Sequence, residues 1–134
     1  MPRSRIGLWL VGAKGGVATT AITGLIALRK NLVGTVGLIT ATEPFAPLDL
    51  IDWNDVVVGG HDIRPGKLYD EAYKMCAESR AIDPFLLEKC KGEFDKIEKN
   101  LRSGSLINVG GTIAGFAEEG LKKKKRLRAN QSRD

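Results

Sequence analysis

The sequence predicts an α/β fold in which short parallel strands alternate with helices. An apolar run at residues 6–11 is followed by a glycine-rich turn and by a helical pattern at residues 17–30. Further short apolar runs recur along the chain, and helical patterns separate them. Strands buried on both faces of a parallel sheet have this nearly continuous apolar character, because helices cover the sheet.

The N-terminal part of the chain has the pattern of a right-handed βαβ unit. Residues 6–11, Ile-Gly-Leu-Trp-Leu-Val, predict a strand buried on both faces. In residues 17–30, side chains such as Ile22 and Ile26 recur at helical spacing and mark the buried face. Residues 35–40 predict a second strand, so strand, glycine turn, helix and strand follow one another.

The rest of the chain continues this alternation. Asp83 and Pro84 are a favourable helix start, as N-cap residue and first-turn proline. The patterns predict a turn of helix at 49–53, a strand at 55–58, helices at 66–79 and 83–101, a strand at 106–109 and a short helix up to residue 120.

Length and charge predict one domain with a nearly neutral body and a basic tail. A chain of 134 residues holds one modest core and leaves little room for a second domain. The net charge is +5, but residues 121–134 carry seven basic residues and one acid, which leaves residues 1–120 at −1. We expect a domain at 1–120 and a tail at 121–134 that is disordered or the start of a solvated helix.

Composition argues against several classes of protein. No run of eighteen uncharged apolar residues occurs and the N-terminus has no secretory pattern, so we expect no membrane span. Cys76 and Cys90 match no metal or disulfide framework, which favours a reducing cytosol. The basic run at 122–128 has no interleaved aromatic, so a solvated surface is favoured over a nucleic-acid site, which stays an alternative.

The glycine turn at residues 12–16 has the composition of a phosphate-binding loop. Glycines let the backbone turn sharply and approach an anion, and the helix that follows directs its first N–H groups at it. Thr19 and Thr20 would add hydroxyl donors in the first helical turn. The alternative is that these glycines serve only a tight turn between strand and helix.

Two kinds of phosphate site fit this turn. Residues 14–20, Lys-Gly-Gly-Val-Ala-Thr-Thr, resemble the deviant P-loop of partition-type ATPases, but the lysine that would meet the β- and γ-phosphates is missing. The pyrophosphate of a dinucleotide is held largely by backbone N–H groups and tolerates that loss, which favours a dinucleotide. Lys14 is then either a point charge beside the phosphates or a solvated surface lysine.

A second signal lies at residues 57–63, Val-Val-Gly-Gly-His-Asp-Ile. At the carboxyl end of a parallel strand, Asp62 would face the crevice where ligands bind and could accept ribose hydroxyls. A turn or N-cap role for Asp62 is equally open. His61 is interpreted as a turn residue, and Glu43 and Asp49 are other candidates for the acid expected about 20 residues past the fingerprint.

Together, residues 6–20 and 58–63 resemble the N-terminal part of the myo-inositol-1-phosphate synthase family, in its bacterial form. In that family a glycine turn ending in two threonines opens an NAD-binding Rossmann domain, and a Gly-Gly-x-Asp-Ile segment ends a later strand. The resemblance implies a Rossmann-like parallel sheet with flanking helices, incomplete in this chain, with NAD as cofactor. The residues implied to bind NAD are Gly12, Ala13, Lys14, Gly15, Gly16, Val17, Thr19, Thr20, Asp62 and Ile63.

The resemblance also implies a reaction. Members of the family convert glucose 6-phosphate into inositol phosphate: NAD oxidises the sugar, an aldol step closes the ring, and the NADH formed reduces the product. The lysines that stabilise the enolate lie in a second domain, and no residue of this chain matches them. We expect no catalytic or metal-binding residue here, no turnover by this chain alone, weak NAD binding, and homo-oligomerisation through the edge and apolar face of an incomplete sheet.

Overall fold

A computed structural model describes residues 4–131 as one small sheet with helices packed against it. Within these described residues there are three strands and five helices, together with three single turns of 3₁₀ helix in the segment between the first helix and the second strand. The elements are β1 (Ile6–Val11), α1 (Gly16–Arg29), β2 (Val56–Asp62), α2 (Leu68–Ser79), α3 (Pro84–Glu98), β3 (Leu101–Ser103), α4 (Gly111–Gly115) and α5 (Glu119–Gln131).

The sheet is parallel, with β2 in the centre and the order β1-β2-β3. Ile6 pairs with Val56 and Val11 with His61, while Gly60 of β2 pairs with Leu101 of β3. The predicted fold class is therefore confirmed: a parallel sheet with flanking helices, smaller than a complete Rossmann sheet. The outer edge of β1 has no neighbouring strand among residues 4–131.

The core lies between the sheet and helices α1, α2 and α3, which contact one another. Val58 supplies a buried side chain from the sheet, and Phe94 and Ile22 are among the largest buried side chains from the helices. The expectation that residues 6–11 are buried on both faces is wrong, because the described helices cover one face only. On the other face Trp9 is 57% exposed and Val11 78%.

Residues 35–40 do not form the predicted second strand. The backbone turns at Gly37, whose φ of +88° lies in the left-handed region, and Leu38 N donates to Thr35 O over 3.0 Å. A 3₁₀ turn at Ile39–Ala41 follows. The apolar character of this segment predicted a strand, but the pattern did not indicate a strand of the sheet with which the segment would pair. The helical turn expected at 49–53 likewise forms later, at Trp53–Asp55.

The last strand forms at Leu101–Ser103 instead of at the predicted residues 106–109. Because α3 ends at Glu98, the chain reaches β2 within two residues. The side-chain amide of Asn100 donates to Val58 O over 3.0 Å. Residues 106–109 contain Asn108 with a φ of +52°, and Leu106 is buried in a small second cluster with Ala117 and Leu121. Leu106 therefore serves that cluster rather than the sheet.

The two helices predicted in the middle of the chain both form, although the second ends at Glu98 and not at residue 101, where β3 begins. Asp83 caps α3 by accepting from Leu86 N over 3.0 Å, and Pro84 occupies the first helical position, as predicted. The basic run belongs to α5, which begins at Glu119 and is attached to the second cluster through Leu121. Residues 132–134 of the tail lie outside the described residues. No described helix combines the length and apolar character that crossing a membrane requires.

Candidate functional site

The glycine turn joins β1 to α1 and is held against the end of β2. The N–H groups of Gly12 and Ala13 both donate to His61 O, over 2.9 and 3.2 Å, and Gly15 N donates to Gly12 O over 2.9 Å. Gly12 has a φ of +81°, which a residue with a side chain adopts only at a cost. The side chain of Ala13 is fully buried, so Ala13 is a packing residue of the turn.

The first turn of α1 leaves backbone donors without an acceptor. Thr19 N donates to Gly15 O over 2.9 Å, which closes the first helical turn. The N–H groups of Gly16, Val17 and Ala18 have no acceptor within the part of the chain that the structure describes. No acid lies in this first turn, so the positive end of the helix dipole is not neutralised locally. These three amides can therefore take up an anion.

The two threonine hydroxyls are turned back onto their own helix. Thr19 Oγ1 donates to Gly15 O over 3.0 Å and also lies 3.1 Å from Gly16 O, while Thr20 Oγ1 donates to Gly16 O over 2.8 Å. Thr19 is fully buried and Thr20 is exposed. In this arrangement both hydroxyls stabilise the start of α1, and each would have to rotate to reach a ligand.

The ammonium group of Lys14 contacts the loop that follows β2. Its Nζ donates to Gly66 O over 2.5 Å and to Arg64 O over 3.4 Å, and it lies 3.9 Å from Glu98 Oε1. Only 13% of the side chain is exposed. The other oxygen of Glu98 accepts from Leu68 N over 2.5 Å, at the start of α2. Lys14 thus ties the glycine turn to the loop after β2.

Asp62 connects the same two segments from the other side. Its Oδ2 accepts from Lys14 N over 2.7 Å and its Oδ1 accepts from Arg64 N over 2.8 Å. The residue is 9% exposed. These two contacts join the glycine turn to the residues that follow β2. Each carboxylate oxygen keeps a second lone pair, so a further donor could still be accepted.

Ile63 and His61 make separate contacts at the end of β2. Ile63 packs against the second cluster, and its carbonyl accepts from Glu118 N over 2.9 Å. His61 Nδ1 accepts from Trp9 Nε1 over 3.0 Å on the uncovered face of the sheet. Glu43 and Asp49 are exposed and lie in the segment between α1 and β2, so neither follows the end of a strand.

Three further residues shape the site. The guanidinium of Arg64 stacks 5.4 Å from the ring centre of Phe116 and reaches Lys14 O over 3.4 Å. A Cβ at Gly60 would lie 2.3 Å from Leu10 O, so only glycine fits between β1 and β2 there. Met75 of α2 rests on Gly16, where a Cβ would lie 2.3 Å from its Cε. The sequence pattern contained Gly60 as half of a double glycine, whereas no pattern in the sequence pointed to Met75.

The basic run of α5 lies partly against the protein. Lys122 Nζ forms a 3.0 Å ion pair with Glu119 one turn earlier, and Lys125 Nζ donates to Val109 O over 3.1 Å. Lys123 and Lys124 are exposed. Two of the four lysines are therefore engaged by the chain itself.

Comparison with known proteins identifies one relevant relationship. No protein-family model matches the chain. The chain is 38% identical over 79 residues to "Inositol-3-phosphate synthase 1" of Bacteroides thetaiotaomicron. That match covers 51% of this chain and 18% of the relative, so the chain spans less than a fifth of the relative's length. The resemblance predicted from the glycine turn and the segment around Asp62 is confirmed.

Proposed function

We propose, from the premise that this chain is a relative of the inositol-3-phosphate synthases, that its glycine turn and the first turn of α1 bind the pyrophosphate of NAD. The observation that carries the proposal is the set of free N–H groups at Gly16, Val17 and Ala18, in a first helical turn that holds no acidic residue. A pyrophosphate needs backbone donors and a positive helix end, and both are present.

The residues fit the diphosphate part of NAD better than the ribose part. Asp62 already accepts one N–H on each oxygen and is nearly buried, so its main task is to hold Lys14 and Arg64 in place. The turn that results is preorganised, because Lys14 fixes it a second time through Gly66 O. When bound, NAD supplies a hydride acceptor, and this chain's residues bind and orient it.

We also propose that this polypeptide does not convert glucose 6-phosphate by itself. Enolate chemistry needs a free cationic group beside the substrate. The lysine of the turn, Lys14, is already committed to two carbonyls and to Glu98. An assay with glucose 6-phosphate and NAD should therefore give no inositol phosphate, and turnover by the purified chain would contradict this part of the proposal.

The binding test uses Val17, which is 88% exposed in the first turn of α1. Val17→Asp places a carboxylate among the free amides. The carboxylate interacts favourably with the positive end of the helix dipole, but it repels a diphosphate. Calorimetric titration should show NAD binding to the wild type, an affinity lower by about tenfold in Val17→Asp, and little change in the neutral, equally shaped Val17→Asn. The folded fraction of both variants is checked by circular dichroism.

Two outcomes would overturn the proposal. One is the absence of NAD binding to the folded wild-type chain, and the other is an equal loss of affinity in Val17→Asn and Val17→Asp. A parallel titration with ATP and magnesium tests the ATPase alternative. Tight ATP binding without NAD binding would replace the dinucleotide by a triphosphate as the ligand of this turn.

A further inference from the structure

The guanidinium of Arg64 lies beside the glycine turn. Its Nη1 donates to Lys14 O over 3.4 Å, which is long for a hydrogen bond. The same group contacts the ring of Phe116, and within the described residues no carboxylate forms an ion pair with it. We propose that Arg64 binds the diphosphate of the ligand together with the free amides at the start of α1, an inference that rests on the proposed NAD site.

Three contacts fix the position of Arg64. Its backbone N–H donates to Asp62 Oδ1 over 2.8 Å, and its guanidinium carbon lies 5.4 Å from the ring centre of Phe116. Glu118 N donates to Ile63 O over 2.9 Å, which holds the segment of Phe116 against the loop after β2. A guanidinium that stacks on an aromatic ring keeps the N–H groups of its edge available, so it is oriented before a ligand arrives.

The guanidinium lies within reach of the anion site. Standard bond lengths and a trans peptide keep Lys14 O within about 5 Å of Gly16 N. Since Arg64 Nη1 is 3.4 Å from Lys14 O, it lies at most about 8–9 Å from the first free amide. A diphosphate that accepts hydrogen bonds of about 2.9 Å on each side can therefore contact both groups.

Arg64 supplies a positive charge that Lys14 does not. The ammonium group of Lys14 donates to Gly66 O and lies 3.9 Å from Glu98 Oε1, so its charge is offset. Asp62 Oδ2, which accepts from Lys14 N, places a negative charge next to the turn, and that charge repels a diphosphate. A second cation is therefore needed, and the planar fork of a guanidinium matches the oxygens of a phosphate.

Calorimetric titration of the full chain with NAD and with inorganic pyrophosphate tests the proposal, because pyrophosphate is a diphosphate without nucleosides. Arg64→Gln removes the charge and should weaken the binding of both ligands by about tenfold, as expected for one lost hydrogen bond to a charged group. Arg64→Lys keeps the charge without the fork and should lose about threefold. The affinity of the wild type should fall more steeply with salt than that of Arg64→Gln.

Arg80→Gln is the matched control. Arg80 is exposed and caps the far end of α2, roughly 18 Å from the end whose Leu68 N–H donates to Glu98. Its replacement lowers the net charge by the same amount, and it should leave both affinities unchanged. Circular dichroism checks that every variant is folded.

Phe116 is a positioning residue in this arrangement. Its side chain is 53% exposed, so Phe116→Leu removes the stacking surface without opening the core. The affinity for NAD should fall by about threefold in the wild-type background and stay unchanged in the Arg64→Gln background. A purely structural effect of Phe116 would lower the affinity equally in both backgrounds.

The outcomes separate this proposal from the proposed function. Equal NAD binding by the wild type and Arg64→Gln would overturn the role of Arg64 alone, as would a loss for NAD without a loss for pyrophosphate, or an equal loss in Arg80→Gln. A wild type that binds pyrophosphate but not NAD would overturn the dinucleotide, while weaker pyrophosphate binding by Arg64→Gln would still support Arg64. A wild type that binds neither ligand would overturn both proposals.

Discussion

The carboxylate of Asp62 lies 2.7 Å from the backbone nitrogen of Lys14, and the ammonium group of Lys14 returns to the loop that follows Asp62. Two residues that are 48 positions apart thus hold one loop against the other. Since both side chains are largely buried, their charges act on the backbone of the turn. The shape of the glycine turn depends on this pair, whereas the hydroxyls of Thr19 and Thr20 bond only within the start of α1.

Replacing Asp62 by asparagine should destabilise the fold. One of the two backbone N–H groups would face an amide nitrogen instead of an acceptor, and a hydrogen bond to a charged group is worth about 1.5–3 kcal/mol. Urea unfolding should show a loss of about 2 kcal/mol in the free energy of unfolding. The matched control Asp95→Asn, at an exposed position of α3, should change it by about 0.5 kcal/mol or less. Equal effects of the two variants would contradict the role of Asp62 in holding the glycine turn.

Gly60→Ala should prevent stable folding. Its Cβ would meet the backbone oxygen of Leu10 at 2.3 Å and the Cβ of Ala13 at 3.1 Å, and neither belongs to a flexible side chain. We expect a loss of about 3 kcal/mol or more. Gly92→Ala in α3 is the control, because no atom lies within 4 Å of the new Cβ. It should stabilise by about 0.5–1 kcal/mol through helix propensity. Thermal unfolding of the two variants tests whether the first is destabilised and the second is stabilised.

The cap of α3 gives a smaller, well-defined effect. Asp83 Oδ1 accepts from Leu86 N, so Asp83→Ala leaves that N–H without its partner. The expected loss in the free energy of unfolding is about 1 kcal/mol. Asp83→Asn keeps an acceptor at the cap and should lie within a few tenths of a kcal/mol of the wild type. If asparagine cost as much as alanine, the side-chain cap would not be the cause.

Alkaline pH should weaken the fold through two weakly acidic side chains, one buried and one partly buried, whose pKa values are raised in the folded state. Burial raises the pKa of the Cys90 thiol, an effect that Lys30 opposes less strongly, and burial with Glu88 raises the pKa of Tyr69. A raised pKa in the folded state means that the stabilisation is complete below the ordinary pKa of the unfolded chain. It is lost as the pH rises through the folded value.

The measurement is the free energy of unfolding in urea from neutral to alkaline pH, which should decline above the ordinary thiol pKa of 9.0. In Cys90→Ala the decline should be shallower, even though the variant starts from a lower stability. The native chain should also react slowly with a thiol reagent, because Cys76 and Cys90 are both buried. Rapid labelling of both thiols in folded protein would show that this part of the core is open.

Local features of the sequence were sufficient to predict the strand–turn–helix at the N-terminus and the start of α3 at Asp83. A glycine turn and an N-cap act within a few residues, so their outcome does not depend on distant partners. The strand expected at residues 35–40 failed for the opposite reason. Whether an apolar segment becomes a strand depends on its pairing with a strand elsewhere in the chain, and a local pattern does not encode that pairing.

By itself, the sequence determined the α/β class, the position of the glycine turn and the resemblance to the synthase family, because these follow from short patterns of residue type. Only the tertiary structure decided what the charged residues of the turn do. Lys14 and Asp62 face loop backbone rather than open crevice because the end of β2 lies beside the turn, 48 residues away along the chain. A contact of that separation is fixed by the packing of β1 on β2, and no local spacing encodes it.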